Sequence, residues 1–374
     1  MFDVIAILSI SIIGGDFNFY LFIYEYMKYI FSCIACALLT VSCQYSTSDF
    51  VNYDNSPIEQ SQVQDLPTEE IKMSVELTNP RQMVLLNDSM VVFLDNSKGT
   101  LGKVLSLSGS LVCEFGQRGK GHGELMEPVN FSLGRDGRSI YCYDYKVMAS
   151  KKFQMSESMD SVFFVKTIDY KTVCKRFNSV CQRSDNSYVG FGYDDNCRIL
   201  NVENGSVRDN YTKYPHIEDN MEYNWSFWSN LANYGVSPDH KHIVTTTAIG
   251  MLFEVFDIKS DGKLSSKVLK AFYKPVFLLA KGARPACVIF DNDKTFGGFR
   301  ALCLGNDKFF GSIFGPAPNY SLGNEIYEFD YDGNLLKKYR VKGNVECMAY
   351  STKGILYMVL SDVKGKNHLV RARV

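Results

Sequence analysis

The chain has 374 residues, including 23 Tyr, 26 Phe and only 10 Pro, and aromatic residues of this kind favour strands over helices. Its 40 Lys and Arg nearly balance its 41 Asp and Glu, which gives a formal net charge of −1. Because proteins that bind nucleic acid usually carry a basic face, this balance argues against nucleic acid as a partner.

Residues 1–42 have the features of a signal segment. Their two apolar runs, 4–13 and 29–42, are each shorter than the roughly 18 apolar residues of a membrane-spanning helix. A Met-Lys pair at 27–28 is followed by YIFSCIACALLTVSC, which has the apolar stretch and small-residue cleavage site of an export signal. It resembles a bacterial lipoprotein signal with residues 40–43 as the lipobox. We therefore predict a start at Met27 and lipidation of Cys43; an ordinary secretory signal or an uncleaved anchor is the alternative.

Residues 43–69 are predicted to form a flexible acidic tether. The segment carries several Asp and Glu, and the first basic residue after it is Lys72. Such a polar stretch of one charge sign buries too little apolar surface to order itself. About 27 flexible residues would span roughly 25 to 30 Å, enough to hold a body formed by residues 70–374 clear of a bilayer.

A turn signal recurs roughly every 50 residues through this body, each time between two apolar runs. The first set of turns is Asn87-Asp88, Asp136-Gly137, Asp185-Asn186, Asp239-His240, Asn306-Asp307 and Lys353-Gly354. A second hairpin turn follows at Ser108-Gly109, Asn204-Gly205, Asp261-Gly262 and Asp332-Gly333. Two hairpins make a four-stranded blade, so the repeats predict an all-β, six-bladed β-propeller.

The last repeat lacks one strand at the C-terminus. Residues 70–77 alternate strictly between apolar and polar side chains and have no hairpin partner of their own. We predict that 71–77 is the outer strand of the sixth blade. This pairing would close the ring and cover an edge that would otherwise be exposed.

Residues 116–143 resemble an NHL-type propeller repeat. Residues 190–200, 235–242 and 323–333 are similar to the TolB-like six-bladed propeller lipoproteins of Bacteroidales. The resemblance covers residues 70–374 and implies a cell-envelope protein, which we expect to be anchored in the outer membrane on its periplasmic or outer side. Its motifs build blades, and it supplies no catalytic residues to carry over.

Side chains suited to chemistry are scattered. No set of the 11 cysteines has zinc-ligand spacing, and we expect Cys113, Cys142, Cys303 and Cys347 to be buried small hydrophobes. Cys174 and Cys181 are the one pair whose spacing indicates a possible disulfide. His240 and His242 lack a neighbouring Cys or acidic cluster. We therefore predict no catalytic residue, metal site or cofactor.

Asp95, Asp144, Asp257 and Asp330 each close an apolar or aromatic strand. Two interpretations are open. The carboxylates could ring a central channel and bind calcium, as in propeller lactonases. Alternatively, each Asp accepts backbone N–H bonds in the turn that follows its strand, and this second interpretation is favoured.

Residues 204–233 lengthen the connection between the third and fourth repeats and contain both tryptophans of the chain. We predict a ligand-binding rim for a sugar ring or a peptide, formed by Tyr214, His216, Tyr223, Trp225 and Trp228. The alternative is that these aromatics pack over their own blade. A second long segment, 265–299, is a candidate for the same rim through Lys270, Lys274, Lys281, Arg284 and Lys294.

These features predict a lipid-anchored propeller of the cell envelope that acts as a binding or protein-interaction module. The expected partner is a glycan, a peptide or an envelope protein. The protein is expected to be attached to the membrane through its lipid anchor. One alternative is a propeller hydrolase or lyase with a metal in the central channel, which requires three or four carboxylate or Asn side chains to converge at one channel mouth. Another is a structural subunit of an envelope complex.

Overall fold

A computed structural model describes residues 51–170, 177–194, 197–211, 232–279, 288–290, 294–316 and 323–374. The predicted signal segment, the start at Met27 and the lipidation site Cys43 lie outside these residues. The described chain begins with helix α1 (Ser56–Gln60) and strands β1 (Val63–Asp65) and β2 (Glu69–Ile71). Across the described ranges, no helix is long and apolar enough to cross a membrane.

Six antiparallel sheets, the blades, then follow in chain order. Blade 1 contains β3 (Pro80–Leu86), β4 (Met90–Asp95), β5 (Thr100–Ser106) and β6 (Leu111–Gln117). Blade 2 contains β7 (Pro128–Leu133), β8 (Ser139–Asp144), β9 (Ala149–Met155) and β10 (Val162–Asp169). Blade 3 contains β11 (Phe177–Ser184), β12 (Ser187–Asp194), β13 (Cys197–Glu203) and β14 (Ser206–Tyr211).

The second half of the ring is built in the same way. Blade 4 contains β15 (Ala232–Val236), β16 (His242–Thr247), β17 (Met251–Ile258) and β18 (Leu264–Tyr273), and a separate hairpin of β19 (Phe277–Leu279) and β20 (Val288–Phe290) follows it. Blade 5 contains β21 (Gly297–Leu304), β22 (Lys308–Gly315), β23 (Glu325–Asp330) and β24 (Leu335–Arg340). Blade 6 contains β25 (Asn344–Tyr350), β26 (Ile355–Ser361) and β27 (Asn367–Arg373).

The first strand of each blade packs beside the first strand of the next, and β25 returns to β3, so these six inner strands surround one axis. Every predicted turn connects two neighbouring strands. At Asp136-Gly137, for example, Gly137 has a φ of 65° and Asp136 Oδ1 accepts the backbone N–H of Ser139 at 2.8 Å. Glycine adopts this positive φ without strain, so the local sequence specifies the turn. The prediction of an all-β, six-bladed propeller is confirmed.

Large apolar side chains fill the spaces between blades. Phe253 of blade 4 and the pair Phe309 and Phe329 of blade 5 are fully buried. The ring of Phe253 lies 5.1 Å from Phe309 and 4.9 Å from Phe329, between centroids. The middle strands of a blade have both faces against neighbouring blades, which is why Met251–Ile258 is almost continuously apolar.

An N-terminal strand closes the ring, as predicted, but it is shorter than predicted. β2 pairs antiparallel with β27, with Glu70 opposite Val370. The strand was expected over 71–77 and covers only Glu69–Ile71. Beyond it the chain crosses to blade 1, where the Ser74 amide donates to Gly109 O at 2.9 Å. The alternating apolar residues after Ile71 fill the space between blades 6 and 1 instead of extending the ladder.

The prediction of a flexible tether over 43–69 is wrong for its described part, residues 51–69. Tyr53 bridges to Ala271 of blade 4, and β1 pairs in parallel with β24 as a fifth strand of blade 5. Ile58 and Leu66 are buried in the cores of blades 4 to 6. The backbone of the segment is satisfied by the open edges of these outer strands, so a polar composition is compatible with order.

Candidate functional site in the central channel

The inner strands enclose a cavity of about 390 Å³ on the propeller axis. All six blades contribute to its wall. The lining residues are Arg81, Gln82, Met83, Glu127, Val129, Asn130, Tyr145, Asn178, Ser179, Asn233, Tyr234, Arg300, Ala301, Leu302, Cys347 and Met348. Most of these lie near the beginning of an inner strand, so the cavity opens at the face where the inner strands start.

A repeated irregularity shapes this wall. In five of the six inner strands, the register with the second strand shifts by one residue, at Arg81, Val129, Asn178, Arg300 and Glu346. A bulged residue is left out of the ladder and its side chain is redirected. Four of the five bulged residues line the cavity. The bulges therefore place side chains in the channel that regular strands would direct elsewhere.

Amide side chains next to the bulges join neighbouring blades. Gln82 of blade 1 accepts a bond from the Phe131 amide at 2.6 Å and donates to its carbonyl at 3.0 Å. Asn130 of blade 2 donates to Val180 O at 2.9 Å, and Asn233 of blade 4 donates to Phe299 O at 3.1 Å. Gln82 and Asn130 use both the oxygen and the nitrogen of their amides in these bonds, and Asn233 uses its nitrogen, so the three amides hold the ring together and form a fixed part of the wall.

Blades 5 and 6 are joined by charge. The guanidinium of Arg300 pairs with Glu346 at 2.5 Å. The other carboxylate oxygen of Glu346 accepts a bond from the Ser361 hydroxyl. The positive charge of Arg300 at the cavity is therefore compensated within the protein.

Three polar side chains on the lining neither join neighbouring blades nor pair with another charge within the described chain. The guanidinium of Arg81 and the carboxylate of Glu127 are exposed, and Asn178 is half-buried. No hydrogen bond or ion pair joins any of these three side chains to another residue of the described ranges. They are polar groups on the cavity wall that the fold does not use.

The remaining wall is apolar and aromatic. Tyr234 stacks on Phe191 with ring centroids 4.2 Å apart, and burial raises the pKa of its hydroxyl to about 12. Val129 of blade 2 is 38% exposed, and Leu302 of blade 5, also on the lining, is half-buried. The cavity thus offers apolar surface next to the free polar groups, which is the usual composition of a small-ligand site.

The recurrent aspartates have structural roles. Asp144 is fully buried and accepts the backbone N–H groups of Met126 at 2.6 Å and Glu127 at 3.1 Å. Asp95 does the same for Thr78 and Asn79. Asp144 also accepts the backbone N–H of Lys146 at 3.1 Å in the turn that follows its strand, as expected. The backbone partners of Asp95, and the other two of Asp144, instead precede the inner strand of the blade. Both carboxylates therefore fix the backbone at the cavity entrance.

The other two aspartates differ. Asp330 accepts the amides of Asp332 and Asn334 in its own turn, as expected, whereas Asp257 pairs with His242 at 2.9 Å. His242 lies at the start of β16, and its ring stacks on that of Tyr331. His240 lies in the turn before β16, so the two histidines do not share a face of the strand. Within the described ranges, no three or more His, Cys, Asp or Glu cluster in a way that could hold a metal ion.

Cys142, Cys303 and Cys347 are buried, as expected, and Cys113 is half-buried. Cys181 is a buried free thiol, and burial raises its pKa to about 12. Its possible disulfide partner, Cys174, lies outside the described ranges.

The predicted aromatic rim lies entirely outside the described ranges. It consists of Tyr214, His216, Tyr223, Trp225 and Trp228. The strand that follows it in sequence, β15, contributes Asn233 and Tyr234 to the cavity.

Comparison with known proteins agrees with this architecture. The model of the TolB-like 6-blade propeller-like family matches residues 57–353. The chain therefore belongs to this family of six-bladed propellers.

Two solved structures illustrate the likeness. A candidate exported protein of Bacteroides fragilis NCTC 9343 is 11% identical with a TM-score of 0.53, over 84% of this chain and 94% of that one. A member of the DUF4221 family from Bacteroides vulgatus ATCC 8482 is 9% identical with a TM-score of 0.51, over 83% and 98%. At these identities the likeness concerns the fold alone. No curated protein sequence matches the chain.

Proposed function

We propose that the protein is a binding module of the cell envelope that holds its ligand in the mouth of the central channel. The observation that carries this proposal is the set of free polar side chains on the cavity wall. Arg81, Glu127 and Asn178 line an open cavity, two of them are bulged out of their strands, and none is used by the described fold. Bulges that redirect side chains are over-represented at functional sites.

Glu127, Asn130, Asn178 and Asn233 do line one cavity, as the metal-dependent alternative requires. Asn130 and Asn233 are engaged in bonds between blades, however, which leaves one carboxylate and one amide, fewer than the roughly six to eight oxygen ligands that Ca²⁺ takes.

The nucleophiles on the described wall also favour binding over catalysis. Ser179 donates its hydroxyl to Asn130 Oδ1 at 2.8 Å, an amide oxygen that cannot act as a general base. Cys347 is buried, and burial raises the pKa of its thiol, so the reactive thiolate is disfavoured. Neither side chain is activated as an enzyme nucleophile would be.

The membrane attachment is proposed through Cys43, as in Bacteroidales-type lipoproteins with NHL-like repeats. The lipobox at 40–43 supports it, and one of the structurally similar proteins is a candidate exported protein. Since Tyr53 is already bridged to blade 4, only the nine residues 44–52 separate it from Cys43, which bounds the separation at roughly 35 Å. The propeller would be held close to the membrane.

The binding proposal is tested with purified full-length protein on glycan and peptide arrays. Arg81→Met and Asn178→Leu should weaken capture of the same ligand by about tenfold or more, since each removes a charged or amide contact. Arg208→Met is the matched control, because Arg208 is exposed on β14 of blade 3, away from the cavity lining. Capture that is unchanged in both cavity variants would exclude the channel mouth as the site.

The anchor is tested separately by metabolic labelling with a fatty acid. The wild-type protein should carry label, and Cys43→Ala should carry none. Label retained in Cys43→Ala would contradict lipidation at this position.

A further inference from the structure

Two unpaired charges of opposite sign lie on the wall of the channel cavity. Arg81 belongs to blade 1, and Glu127 immediately precedes the inner strand of blade 2. We infer that the channel mouth takes a short zwitterionic ligand, a free dipeptide or tripeptide, with its carboxylate at Arg81 and its ammonium group at Glu127. This inference rests on the proposed function and specifies its ligand class.

The charge inventory of the cavity supports this assignment. The lining contains three charged side chains, and Glu346 already compensates Arg300. Arg81 and Glu127 are left, and neither pairs with another described residue. Both side chains are exposed in the free protein, but a ligand that fills the cavity covers them. A ligand with a single charge would then leave the other charged side chain covered and without a partner, which is unfavourable. A ligand with both charges at its ends satisfies both, and a guanidinium can hold a carboxylate through two parallel hydrogen bonds.

The backbone beneath both charges is rigid. Buried Asp144 holds the amide of Glu127, and buried Asp95 holds the amide of Asn79, two residues before Arg81. The amide of Gln82 then bonds both backbone groups of Phe131 and joins the two inner strands. Because these bonds fix the two attachment points relative to each other, the site can select a ligand by the distance between its charged ends.

The size and the apolar wall of the cavity also fit a small peptide. Its volume of about 390 Å³ lies in the range of small-ligand sites. Val129 and Leu302 offer exposed or half-buried aliphatic surface to a side chain of the ligand, and the free amide of Asn178 is available to its peptide group. A neutral glycan would leave both charges without a partner, so the charges on the cavity wall favour the peptide.

The test is calorimetric titration of the full-length protein with a dipeptide and tripeptide library in four forms: unmodified, N-acetylated, C-amidated and blocked at both ends. The unmodified form should bind with the highest affinity, and each blocked end should cost about tenfold. In Glu127→Gln, acetylation should no longer reduce affinity, and in Arg81→Met, amidation should no longer do so. Arg208→Met should behave like the wild type.

The controls separate this inference from the proposed function. A thermal melt of each variant confirms that it is folded. If all four peptide forms bind equally, or if a neutral oligosaccharide binds and the peptides do not, the zwitterion assignment is wrong while a cavity-dependent binding module stands. If no peptide of the library shows saturable binding, the assignment is also wrong. If in addition no array ligand depends on Arg81 or Asn178, both proposals are refuted.

Discussion

The two halves of the ring protect their outer edges differently. In blades 4 to 6 the outer strands are met by the segment 51–71, which bridges to β18, adds β1 to β24 and adds β2 to β27. In blades 1 to 3 the outer strands β6, β10 and β14 have a strand partner on one side only, within the described chain. Blade 6 takes its fourth strand from this distant segment, and blades 4 and 5 take only cover for their outer edges from it, whereas blades 1 to 3 contain, among the described strands, only those of their own repeats.

The largest expected effect comes from removing this segment. A chain that begins at residue 72 loses β1, β2 and the buried side chains of Ile58, Leu66 and Ile71. Loss of a buried aliphatic side chain costs about 2 to 5 kcal/mol, so three such losses approach the total stability of a typical domain. We expect aggregation or no cooperative melt.

A chain that begins at residue 51 is the control for this deletion. It keeps the whole segment and should melt like the full-length protein. Equal melting of the two shortened chains would show that the covering segment is not part of the stable fold.

A single substitution in each half sharpens the comparison. Ile58→Ala removes a side chain that is 2% exposed under the covering segment, and we expect a loss of about 2 to 4 kcal/mol. Phe163→Ala changes a larger side chain on the uncovered strand β10, where it is 52% exposed, and should cost about 1 kcal/mol or less. Chemical denaturation measures both, and a larger loss for Phe163→Ala would reverse the assignment of covered and uncovered edges.

The two halves also show which structural features can be predicted from the sequence. The hairpin turns were predicted correctly because a Gly at positive φ, as at Gly137, is a local requirement that leaves a local signal. Order in residues 51–69 was missed because it depends on two buried side chains, Ile58 and Leu66, and on pairing with strands far away in sequence. Composition averages over such isolated anchors, and the partner strands cannot be recognised from the segment itself.

The candidate site was missed for a related reason. A bulge is set by how two strands pair, and apolar alternation does not reveal it. A weak signal was nevertheless present: Pro80-Arg81-Gln82 and Pro128-Val129-Asn130 both place a proline two residues before an amide at the beginning of an inner strand. The aromatic rim around Trp225 and Trp228 stays a prediction, because it lies outside the described residues.

In blades 1 to 3, whose outer edges are uncovered, we expect hydrogen bonds between inner strands to contribute more to stability than contacts at the outer edge. Asn130→Ala removes a buried amide that bonds to Ser179 and Val180, and leaves the Val180 carbonyl without its side-chain partner. We expect a loss of about 1 to 3 kcal/mol with the fold retained. Asn210→Ala, at an exposed position of β14, is the control and should change stability little. Equal denaturation midpoints would show that the ring does not depend on this amide.

The smallest effect concerns pH at the closing strand. His368 on β27 contacts Glu70 of β2 at 2.8 Å and Asp362 at 3.5 Å. The bond to Glu70 raises the pKa of His368, so the protonated form is stabilised in the folded protein. A histidine whose pKa is higher in the folded protein than in the unfolded chain stabilises the fold when it is protonated. This stabilisation is fully present below the pKa of the unfolded chain, about 6.5, and is lost as the pH rises through the pKa of the folded protein.

Because both partners are partly exposed, we expect a contribution below about 1 kcal/mol. Denaturation of the wild type between pH 5.5 and 8.5, compared with His368→Gln, should show a small excess of stability at the acid end that the variant lacks. Arg371 is bonded to Glu69 on the same strand pair and keeps its charge throughout this range, so it does not contribute to the difference. An excess at the alkaline end, or identical profiles, would show that His368 does not couple closure of the ring to protonation.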